Sequence, residues 1–97
     1  MSFPKLSKDP DAVLDYQCDW TEWLAGASDT ITGSVWLIAP EGGIVESEDH
    51  ASSYTTTTAT IWLAGGTLGR KYRITNRITT AAGRVNDKSF DVLVQSN

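Results

Sequence analysis

Between Arg70 and Thr80 the chain alternates. Tyr72, Ile74, Asn76 and Ile78 occupy every second position, and Arg73, Thr75, Arg77 and Thr79 fill the places between. A period of two belongs to a strand with one buried and one wet face. One strand alone leaves backbone donors and acceptors unmade, so the rest of the chain must supply partners. Asn76 falls on the apolar face, and a buried amide there requires hydrogen-bond partners.

Other segments meet that demand. Ala12–Cys18 reads as a first strand, with Val13, Asp15 and Gln17 on one face and Leu14, Tyr16 and Cys18 on the apolar one. Thr30–Ile38 carries apolar residues in both phases, which predicts a central strand or one with a bulge at Gly33. Trp36 lies in the Ser34–Ile38 phase. Ile44 and Val45 start a short strand. Tyr54–Leu63 is rich in threonine, a good strand former. Its Thr56, Thr58 and Thr60 suit an exposed edge open to a partner strand. Ser89–Val94 closes the set, with Phe90, Val92 and Val94 inward. Turns fall at Pro40–Gly43, at Gly65, Gly66 and Gly69, and at Ala81–Gly83.

The period changes once. Asp19 is a good helix N-cap and Glu22 lies three residues on, as in a capping box. Trp20, Trp23 and Leu24 then share one side of a helical turn over residues 19–25, which Gly26 ends. The two tryptophans suit a cover for one end of the core; a sugar-stacking platform is the competing use.

Six or seven short strands, frequent turns and a single helical turn predict an all-β sandwich. The glycine corner followed by Tyr72 at the start of a penultimate strand fits a tyrosine corner. With Cys18 the only cysteine, no intrachain disulfide forms, so the nearest analogues are immunoglobulin-like folds of the fibronectin type III kind. At 97 residues one domain is expected over 12–97, preceded by an extended arm over 1–11 in which Pro4 and Pro10 bar a helix. Phe3 and Leu6 are that arm's candidate contacts with a neighbour.

Charge is divided along the chain. Residues 1–49 hold ten acidic and two basic side chains, and residues 50–97 hold six basic and two acidic. Either the two sets lie close together in the fold, or they make a dipolar subunit that stacks head to tail. For the second reading the candidate contacts are Asp15 and Glu22 on the acidic side and Arg73 and Arg77 on the basic side.

Enzyme chemistry finds little support. His50 is the only histidine and sits beside Glu48 and Asp49 in a polar loop, where Ser52 or Ser53 would not be held rigidly enough for a triad. Glu46 and Glu48 have no apolar pocket to part their pKa values, and the spacing of an EF-hand is absent. The run Gly65–Lys71 departs from a phosphate loop because neither Ser nor Thr follows the lysine and a strand comes next. Nucleic acid is disfavoured by a pI near 4.7 and by the lack of aromatics between Arg73 and Arg77. No apolar run reaches the roughly 20 residues of a membrane helix. No cofactor or metal is expected.

Three stretches carry a likeness. They are Asp9–Gly26 with the strand opening at Asp29-Thr30-Ile31, then Ile61–Gly66, then Gly69 through Tyr72 and Asn76–Thr80 to Gly83-Arg84, Asp87, Ser89, Phe90, Val92 and Val94. Their order and spacing resemble a family of short phage and prophage fibre–tail adaptor-like proteins with an immunoglobulin-like sandwich. The resemblance weakens across Glu41–Thr58. It implies a structural role in the virion, with copies arranged in a ring that joins neck or tail proteins to one another or to fibres, assembled in a bacterial cytoplasm. It implies no catalytic residues. The alternative function is a glycan-binding module that uses exposed Trp20, Trp23 or Trp62.

Overall fold

The computed structural model describes residues 5–39, 43–48 and 50–95. Its elements in chain order are β1 (Lys5–Lys8), β2 (Val13–Asp19), α1 (Thr21–Ala25), β3 (Ile31–Ala39), β4 (Ile44–Glu46), β5 (Ser53–Tyr54), β6 (Thr58–Gly65), β7 (Lys71–Thr80) and β8 (Val85–Val94). They form two sheets. One has the order β1-β8-β7-β3; the other runs β2-β6-β4, with β5 also paired to β6. The all-β sandwich read from the sequence is the fold.

Alternation decides which residues meet. On β7, Tyr72, Ile74, Asn76 and Ile78 are fully buried, while Arg73, Arg77 and Thr79 face water. Phe90, Val92 and Val94 on β8 share that inner face, since Tyr72 pairs with Val92 and Ile74 with Phe90. The opposing sheet contributes Ala59, Ile61 and Leu63 from β6, matched across the strand pair by Cys18, Tyr16 and Leu14. Each large aliphatic side chain enclosed this way stabilises the fold by about 1.5–3 kcal/mol. The bulge expected at Gly33 is present as a register shift between Ile31 and Gly33.

Three local expectations need correcting. The threonine-rich stretch is not one edge strand. It breaks at residues 55–57 into a hairpin, where Thr55 Oγ1 accepts the Thr57 and Thr58 N–H groups, and β6 then runs in the middle of its sheet. Ala59, Ile61 and Leu63 form its inward column, enclosed beneath the opposing sheet. The helical turn starts one residue later than the capping-box reading, with Trp20 as N-cap. The Trp20 N–H is bound to the Thr57 carbonyl at 2.9 Å, Asp19 accepts from the N–H and hydroxyl of Thr21, and Glu22 lies in the first turn. Within the expected arm, Lys5–Lys8 is laid along β8 in parallel, Leu6 opposite Val92 and Lys8 opposite Val94. It is extended and bonded into the sheet. Phe3 lies outside the described residues.

The corner before β7 is tight. The Tyr72 hydroxyl accepts the Thr67 N–H at 3.1 Å. Gly43, at φ +93°, packs against the same hydroxyl, and a Cβ there would come within 2.5 Å of it. Only glycine supplies both that conformation and that space.

Candidate assembly surfaces

The interior explains what the aromatic and amide residues do. Trp20 is 2% exposed and its Nε1 donates to Asn76 Oδ1 at 2.9 Å. Asn76 Nδ2 donates in turn to Ser34 Oγ at 2.8 Å and the Val35 carbonyl at 3.1 Å. One amide thus ties α1's entry to β7 and β3. Trp36 is half-buried and meets Phe90 edge-on, with ring centroids 6.3 Å apart. Tyr16 stacks on the same Phe90 ring from β2.

The outer face of the first sheet carries the arginines. Arg77 reaches both oxygens of Asp87, at 2.8 and 3.0 Å, and Arg73 binds Asp91 at 3.1 Å. Both pairs cross directly between β7 and β8. The Arg77 hydrogen bonds hold the Asp87 carboxyl below its ordinary pKa. A third pair, Arg84 with Asp29 at 3.0 Å, ties the β7–β8 turn to the start of β3, and the Arg84 guanidinium also lies 4.0 Å over the Trp23 ring. Asp29 is enclosed and further accepts the N–H groups of Thr30 and Ala82. Its pKa is pulled down to about 2, first by the Thr80 hydroxyl and then, against the cost of burial, by those N–H groups and Arg84. Of these three pairs only Arg84–Asp29 joins the acidic and basic halves of the sequence; Arg73–Asp91 and Arg77–Asp87 both lie within the second half. Charge that looked available to a neighbour is in part already neutralised.

Asp15 and Glu22 lie elsewhere. Asp15 is exposed on the outer face of the second sheet, paired across from Trp62. Val13, Ala64 and Val45 form the adjoining cross-strand row, with Val13 and Val45 exposed. Glu22 is exposed on α1. The two acidic candidates and the two arginines are thus not brought together: Asp15 and the arginines occupy opposite faces of the sandwich. Leu6 on β1 remains partly exposed at the sheet margin.

The sugar-platform reading meets occupied rings. Trp20 is enclosed, Trp23 packs edge-on against it at 5.5 Å with Arg84 over its ring, and the half-buried Trp62 is stacked by His50 at 4.2 Å. Cys18 is a buried free thiol, its pKa pushed up to about 11 by burial. Among the described residues no group of three His, Cys, Asp or Glu side chains is placed to hold a metal, and no helix is long and apolar enough to cross a membrane.

Among the described residues, five buried polar side chains escaped the sequence: Lys8, Asp29, Ser47, Thr80 and Asp91. Lys8 is fully enclosed, its Nζ donating to the Gly65 and Asp9 carbonyls, and burial lowers its pKa against the charges of Asp9 and Asp11. Nothing in the pattern around Lys8 marks it. Asp29 carried a usable signal, an acid directly before a strand with an arginine just after a later turn, but the pairing is a tertiary fact.

The family model described as podophage GP4 fiber-tail adaptor protein gp77 matches residues 8–93. The chain belongs to this family. No curated protein matches it. As a fibre–tail adaptor it is a structural protein of the phage virion, and its partners are other virion proteins. The matched span starts at the buried Lys8 and ends one residue short of Val94 on β8, so it takes in both sheets of the sandwich.

Proposed function

We propose that this adaptor is a non-catalytic connector that joins tail or neck proteins to one another or to tail fibres, as copies in a ring assembled in the host cytoplasm. The family match over residues 8–93 carries the reading. The fold suits it. Two different sheet faces point outward, one with Asp15 and the other with the paired Arg73–Asp91 and Arg77–Asp87, so a head-to-tail contact can set two unlike surfaces together without relying on free arginine charge. The sandwich with a tyrosine-tied corner supports an immunoglobulin-like relationship.

The test is made on particles. Mass spectrometry of purified virions should detect this polypeptide in several copies, and particles made without it should lack fibres or the parts below the missing joint. Intact, fibre-bearing virions devoid of the chain would overturn the proposal.

A further inference from the structure

A sandwich has open edges, and each edge strand offers unmade backbone donors and acceptors to any extended chain. Natural edges are blunted by charge, by brevity or by proline. Three of the edges here follow that rule. β1 is only four residues long; β2 carries Asp15 and Asp19; β4 is three residues long and ends on Glu46.

β3 does not follow it. Ile31–Ala39 is nine residues long, has no charged side chain and no proline, and pairs only with β7 among the described residues. Its outward column is Gly33, Val35, Leu37 and Ala39, with Val35 at 55% and Leu37 at 45% exposure. The Tyr54 hydroxyl donates to the Thr32 carbonyl and the Ile31 N–H donates to the Thr56 carbonyl, each at 2.9 Å, so the β5–β6 hairpin covers the first part of the edge. On the adjacent strand β7, Arg73 and Arg77 are paired with Asp91 and Asp87 of β8.

We propose that two free copies of this chain pair through β3, antiparallel about a two-fold axis. The strand is its own complement. With the axis at Trp36, Gly33 falls opposite Ala39 of the second copy, and Val35 falls opposite Leu37. Small residues meet small ones, large meet large, and no like charges face each other, which are the conditions that stabilise cross-strand pairs. Pairing fills the open ladder and joins the two four-stranded sheets into one. The contact is isologous, between like surfaces, and differs from the head-to-tail contact of a ring.

Solution mass by light scattering and sedimentation, over a range of concentrations and salt, tests this. The wild-type chain should give twice its 10.5 kDa mass, and salt should not weaken an uncharged contact. The double variant Val35→Lys/Leu37→Lys places like charges directly across the axis and should weaken pairing by roughly tenfold or more. Its circular dichroism should match wild type, because both side chains point to water, while its melting should lose only the concentration-dependent part that pairing adds. Val35→Glu/Leu37→Glu should behave alike, and mixing the two variants should restore a one-to-one pair, which a misfolded variant could not do. A wild-type chain that stays at single mass at all concentrations, a lysine variant that still pairs, or a mixture that stays apart would overturn the proposal. A ring-sized mass that dissociates in salt would also overturn it while favouring the head-to-tail reading. The adaptor role itself rests on virion composition and is unaffected by any of these outcomes.

Discussion

On the inner face of β7, Asn76 is enclosed and makes three hydrogen bonds; on its outer face, one residue away, Arg77 makes two with Asp87 and remains about half exposed. Both sites are polar and both are satisfied. They differ in what replaces the bonds when they are lost. Around Arg77, water does. Around Asn76 nothing does, and the Trp20 N–H is left inside the core without an acceptor. The same alternation that creates the sandwich therefore sets the energetic weight of every polar group on it.

The largest effect should come from the inner site. Asn76→Ala is expected to cost about 2–4 kcal/mol, from a buried unpaired donor plus a small cavity. The shift of a urea midpoint at constant slope measures it. A loss no larger than that of a surface substitution would break the contrast between the faces.

Asp29 sharpens the comparison, since it is an ion pair with inner-face shelter. Its folded-state pKa is depressed from the ordinary 3.8 to about 2. Its contribution to stability is therefore fully present above the unfolded value and is lost as pH falls toward about 2. Asp29→Asn should flatten that acid limb in melting curves taken across this range. An unchanged limb would mean that the sheltered pair behaves like an exposed one.

The smallest effect is expected at Arg77→Ala. An exposed pair typically contributes about 0.2–1 kcal/mol, and added salt shrinks it. Thermal melts at low and high salt suffice, and a loss as large as that of Asn76→Ala would erase the distinction.

Much of this was legible in the residues. The ten-residue alternation of β7, the bulge at Gly33, the Tyr72 corner and the requirement that Asn76 be bonded all follow from local pattern and from the cost of an unmet amide. The order of the strands did not follow. Thr56, Thr58 and Thr60 look like an edge by composition, yet β6 runs in the middle of its sheet. Conversely, the doubly apolar Ile31–Ala39 looks central and is an edge. A strand's composition reports how much of each face is apolar; it does not report what lies beside it.

The sequence by itself determined an all-β chain, its turns, its inward residues and its kinship with fibre–tail adaptors, because periodicity and turn chemistry are local and a family likeness is a property of order and spacing. Only the tertiary structure decided which charges meet and which edges stay open. Arg84 finds Asp29 across 55 positions, Lys8 reaches Gly65 across 57, and β3 has no second strand neighbour among the described residues. Those outcomes depend on how two sheets stack, and stacking is set by the sum of all the inward side chains rather than by any segment alone.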